Sequence, residues 1–65
     1  MSAVLDRDYA ARWDIDSARG HLDTVACHLT DAVGYLEGAR RTRAQEILDH
    51  ATAVLADLDR LRGSL

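Results

Sequence analysis

Two apolar rows of nearly equal length run along the chain. The first is Ala18, Leu22, Val25, Leu29, Ala32 and Leu36; the second is Ala44, Ile47, Ala51, Val54, Leu58 and Leu61. Both step by alternate threes and fours, the spacing of one face of an α-helix. Gly38-Ala39-Arg40-Arg41 lies between them, with room for no more than a tight reversal. The pattern therefore predicts helices over residues 16–37 and 42–62, folded as a hairpin. Upstream, Leu5, Tyr9 and Trp13 recur every fourth residue, which predicts a short N-terminal helix within residues 1–13. Asp14-Ile15-Asp16-Ser17 is rich in N-cap types and predicts a break there. The alternative is one continuous helix from about residue 3, since Val4, Ala11 and Ile15 extend the first row backward. Gly20 weakens either version by about 1 kcal/mol relative to Ala.

The expected ends follow from capping. Gly38 is placed to end the first helix in a left-handed conformation. Thr42-Arg43-Ala44-Gln45 has the form of a capping box opening the second. Arg60 and Arg62 fall in its last turn, where cations favour the helix dipole, and Gly63 follows.

A heptad frame with Leu22 at position a places both rows at a and d. Position e adds Ala26, Val33, Leu48 and Leu55. A stripe of a, d and e is wider than a two-stranded seam requires and fits a helix with two neighbours. The expected fold is all-α: one small domain over residues 1–65, a hairpin pairing as a homodimer into a four-helix bundle. The expected oligomer interface is Leu22, Val25, Leu29, Val33, Leu36, Ile47, Leu48, Val54, Leu55, Leu58 and Leu61. Alanines in the rows allow close helix approach, and no polar residue is expected in the seam to fix register.

Size strengthens this expectation. A chain of 65 residues buries only about 60% of its unfolded surface and is marginal alone. The single cysteine, Cys27, excludes an internal disulfide, which leaves oligomerisation as the main route to stability. The chain has no Pro or Phe and is rich in Ala and Leu, which favours helix throughout. Its net charge of −3 disfavours nucleic acid as a partner. No apolar run approaches a membrane span, and the acids near the start do not suit a signal peptide, so a cytoplasmic location is expected.

Candidate chemistry is sparse. His21, His28 and Tyr35 occupy successive g positions, and His50 is at g on the second helix. Residues seven apart lie about 10.5 Å apart along a helix. That is too far for His21 and His28 of one chain to share a metal with bonds near 2 Å. The row is expected to be a polar flank of the bundle, with a pH-sensitive interface or a metal site assembled between chains as the alternatives. No cofactor is expected. Cys27, at f, is expected to be a bystander thiol, because a nucleophile needs a base and an orienting group in one pocket. Arg40, Arg41 and Arg43 make a basic turn, either solvated or receptive to an acidic partner. Tyr9 and Trp13, with Leu5, are expected to fold over the open end of the hairpin; the alternative is that they anchor a partner.

The stretch from Arg19 to Arg41, RGHLDTVACHLTDAVGYLEGARR, resembles the dimerisation and phosphoacceptor hairpin of two-component sensor histidine kinases. The likeness is to the subfamily whose first helix reads roughly ELHDxVAHHLxxIxxxLExARR. Asp23, Val25, Ala26, His28, Leu29, Leu36, Glu37, Arg40 and Arg41 fall in matching places, and the layout is similar over residues 19–62. In that family the phosphorylated His is followed directly by an acid. Here Leu22 precedes Asp23, and His21 is displaced by one position, about 100° around the helix. His28 matches a second family position that is not the phosphoacceptor. Nor is there room for an ATP-binding domain. The resemblance implies a stand-alone hairpin that keeps the dimerising fold without the chemistry and acts on a kinase's hairpin. The residues themselves give the broader expectation: a non-enzymatic helical interaction module, a small adaptor or regulator. A metal-binding bundle is the third reading.

Overall fold

The computed structural model describes the backbone of residues 3–65 and the side chains from Arg7 onward. It is an antiparallel hairpin of two helices, α1 (Ala3–Tyr35) and α2 (Gly38–Gly63). The expected break at Asp14–Ser17 does not occur: the N-terminal segment belongs to α1, which runs unbroken for 33 residues. The reason is across the hairpin. Arg12, Asp16 and Arg19 all have partners near the end of α2, and only a continuous helix keeps them in line. The Leu5 side chain lies outside the described residues.

The reversal is tighter than the spacing predicts and sits earlier. Leu36 still donates its N–H to the Ala32 carbonyl at 3.1 Å. Glu37 is extended (φ −135°, ψ 160°), and its carbonyl accepts from the Arg41 N–H at 3.4 Å. Gly38 has φ +61°, the left-handed region that glycine enters without steric cost. One extended residue and one left-handed glycine suffice, so α2 starts at Gly38 rather than at Thr42. The capping box is accordingly not formed. Thr42 lies a full turn inside α2 and its hydroxyl donates to the Gly38 carbonyl, while Glu37 occupies the N-cap without a side-chain hydrogen bond. At the other end Arg60 and Arg62 lie in the last turn as predicted, and Ser64 closes the helix through its N–H and hydroxyl on the Leu61 carbonyl.

The two helices meet along positions a and e. Leu22, Ala26, Leu29, Val33 and Leu36 of α1 are half-buried, as are Leu48, Leu55 and Leu58 of α2. Ala44 and Ala51, each 8% exposed, are the only buried side chains among the described residues. Small residues at these two points let the backbones approach closely, but two alanines are not a core.

Towards the open end the e positions turn polar, contrary to the expectation of an entirely apolar seam. Arg19 Nε donates to Asp59 Oδ1 at 2.6 Å, Arg62 Nε donates to Asp16 Oδ1 at 3.1 Å, and the Arg12 guanidinium donates to the Leu65 carbonyl. These three contacts join α1 to α2 at one axial register.

The result is long and thin, 56 × 15 × 11 Å. Its radius of gyration is 15.7 Å, where a compact chain of this length would have about 11 Å. The first turns of α1 run on past the end of α2, because α1 has 33 residues and α2 has 26.

Candidate association surface

The geometry of an antiparallel pair decides what the remaining rows do. With the seam centred between a and e, position d lies about 80° to one side and b about 80° to the other. Viewed down one axis, the two helices wind in opposite senses. Equal heptad positions therefore fall on the same side of the hairpin, and the two d rows form one face.

That face is apolar and open. Val25 of α1 and Ile47, Val54 and Leu61 of α2 are 42–50% exposed. Ala18 is exposed between them along α1, and Ala32 is half-buried. The opposite side, made of b and f positions, carries Asp16, Asp23, Gln45, Asp49 and Asp59, all exposed. The hairpin thus has one polar side and one side with an exposed apolar row.

The expected interface residues divide into two groups on this framework. Leu22, Leu29, Val33, Leu36, Leu48, Leu55 and Leu58 are half-buried within the hairpin itself. Val25, Ile47, Val54 and Leu61 are left over, and they make the open face. The g positions border it: His21, His28 and Tyr35 on α1 and His50 on α2 are all exposed, with Tyr35 88% exposed. No set of three or more His, Cys, Asp or Glu among the described residues is grouped to hold a metal. Those residues also enclose no pocket. Cys27 is exposed.

Tyr9 and Trp13 do not pack over the open end as expected. They are 68% and 65% exposed, at b and f on the far side from the apolar face. The turn arginines are exposed as well; Arg43 Nη1 bonds Glu46 Oε2 at 3.1 Å.

One ionic pair near the open end, Arg19 with Asp59, shifts its own titration. The hydrogen bond from the Arg19 guanidinium, with its charge, holds the Asp59 carboxyl below its ordinary range against an opposing desolvation. The same bond, helped by the charges of Asp59 and Asp23, raises Arg19. Arg19 Nη1 also reaches Asp23 Oδ2 at 3.0 Å, so one guanidinium ties together two acids on two helices.

The polar seam is the feature that apolar periodicity did not reveal. Its signal was present in the sequence: Arg12, Arg19 and Arg62 sit at e, each within one turn of an apolar seam residue, with Asp16 and Asp59 at b on the facing helices.

No helix among the described residues is long and apolar enough to cross a membrane. Comparison with protein-family models, with curated proteins and with solved structures finds no match.

Proposed function

We propose that this chain is a non-enzymatic association module: a helical hairpin that works by joining its apolar side to another helical surface, and in the first place to a second copy of itself. The observation that carries this reading is the row Val25, Ile47, Val54 and Leu61, left 42–50% exposed on one side of a hairpin whose only buried side chains among the described residues are two alanines.

The areas agree. The accessible surface is 5064 Å², whereas a compact monomer of 7.2 kDa exposes about 4100 Å². The excess, roughly 900 Å², is close to one partner's share of a standard protein–protein interface, about 800 Å². Covering the face would turn a two-helix layer into the four-helix arrangement that the a/d/e stripe suits. The reading expects a dimer in sedimentation equilibrium across a hundredfold range of concentration. Val54→Asp, which places a charge in the middle of the exposed row, should give a helical monomer. A wild-type protein that stays monomeric throughout the range ends the self-association reading.

A narrower alternative rests on the exposure of His21 and His28 on α1. In it the hairpin is a kinase-type dimerisation element that associates with a sensor kinase or accepts phosphate from one. Absence of both association and label with a supplied kinase domain and ATP disposes of it.

A further inference from the structure

Two copies can meet face to face in two ways. A dyad along the long axis puts both turns at the same end and lays α1 of one copy over α2 of the other. A dyad across the long axis puts the turns at opposite ends and lays α1 over α1 and α2 over α2. We infer that the hairpins pair in the first way, with both turns at one end. This rests on the self-association reading above and specifies its geometry.

The size of the side chains along the two d rows is the leading argument. On α1 the row reads Ala11, Ala18, Val25, Ala32; on α2 it reads Ile47, Val54, Leu61. One row is small and the other large. Laying α1 over α2 sets small against large at both contacts, so the layers interdigitate and the helices keep one spacing. The opposite arrangement sets alanine rows against each other on one side and Ile, Val and Leu on the other. The two contacts would then need different helix separations, and close packing at one opens the other.

The borders of the face point the same way. Arg19 beside Asp59 and Asp16 beside Arg62 fix which residues of α1 and α2 lie at equal height. At that register His21 stands level with Asp57, and Tyr35 with Arg43. With the turns together, each of these meets its counterpart on the second copy across the edge of the interface: an imidazole facing a carboxylate, and a phenol ring facing a guanidinium. Both contacts are favourable in kind. Self-complementarity of this sort is what a two-fold interface requires, because each residue pairing occurs twice.

One effect opposes the arrangement. Arg40, Arg41 and Arg43 of both copies come to the same end. They are exposed at a tip, Arg43 is paired with Glu46, and physiological salt screens such charges over about 8 Å. Packing along the whole face outweighs repulsion at its end.

The test is a distance between two turns. The full chain carrying Cys27→Ser and Ala39→Cys is spin-labelled at residue 39, and pulsed dipolar spectroscopy reads the label separation within the dimer. Turns at one end predict a separation under about 25 Å, given helix axes 8–10 Å apart. Turns at opposite ends predict about 40 Å, the length of α2. The long distance overturns the orientation and leaves self-association standing. Absence of any dipolar interaction together with a monomer mass overturns both. Adding Val54→Asp should abolish the short distance while helicity is retained; a short distance that survives this change places the contact on another face and overturns the inference.

Discussion

At the scale of single residues, the arginines at e carry the most information about why this hairpin has one register. Arg19 holds Asp59 across the seam and Asp23 along its own helix; Arg62 holds Asp16. These pairs accompany a seam along a and e, where Ala26, Val33, Leu48 and Leu55 at e are half-buried. With an a/d seam, the b positions of Asp16 and Asp59 would turn away from the partner helix and out of reach of the arginines. The energetic consequence has a definite sign. Because the Arg19 hydrogen bond lowers the Asp59 pKa in the folded state, its contribution is present above the carboxylate's unfolded value, near pH 4. It fades as pH falls through the lower folded value. Asp59→Asn should therefore melt at a lower temperature than the parent at pH 7, and the gap should close as pH falls below the lowered folded value, where both proteins carry a neutral side chain. High salt should narrow the gap at pH 7 as well. Thermal melts followed by circular dichroism would read this directly; equal melting temperatures at pH 7 would show that the pair does not set the register. None of this was visible in hydrophobic periodicity, which scores an arginine as surface wherever it falls.

At the scale of the elements, the hairpin was legible in the sequence and its joints were not. Long rows at helical spacing need no tertiary information, and Gly38 was recognisable as a left-handed residue because few other residues tolerate that conformation. The breaks were misplaced where local capping preference competed with contacts across the hairpin. Asp14, Asp16 and Ser17 favour a helix start, yet Ile15 is half-buried and Asp16 binds Arg62, so the helix passes through. Thr42 could cap a helix, but the turn at Glu37-Gly38 makes the reversal four residues earlier and leaves it inside α2. The two glycines that bear on this should respond in opposite directions. At Gly20, inside α1, an added Cβ meets nothing within 4 Å, and Gly20→Ala should stabilise the hairpin by about 0.5–1 kcal/mol. At Gly38 the space is equally open, but φ is +61°. Gly38→Ala should destabilise by roughly 1–2 kcal/mol, the cost of a left-handed residue bearing a Cβ. Urea titrations of the two variants would measure both. Stabilisation by Gly38→Ala would mean that the reversal does not depend on a left-handed residue.

At the scale of the whole molecule, the chain has two unsatisfied regions that behave differently. One is the apolar face, which runs beside the seam for most of its length. The other is the overhang, where α1 continues beyond Leu65 with no helix opposite. Tyr9 is exposed there and Trp13 at its base, level with Leu65, and the contacts that hold α1 to α2 at this end begin at Arg12. The overhang adds helix without adding hairpin. Removing residues 1–10 should therefore leave the melting temperature nearly unchanged and reduce ellipticity only in proportion to the helix removed. Trp13 should fluoresce as a water-exposed indole before and after the truncation. Under the proposed self-association the apolar face predicts the contrary kind of sensitivity: dilution should lower the melting temperature, because association would stabilise the folded state by mass action. The two responses separate the regions physically. If truncation lowered the melting temperature as strongly as dilution does, the aromatic overhang would belong to the same cooperative unit as the face. The second copy would then have to reach Tyr9 and Trp13 as well as Val54, which a face-to-face pair cannot do from one side of the hairpin.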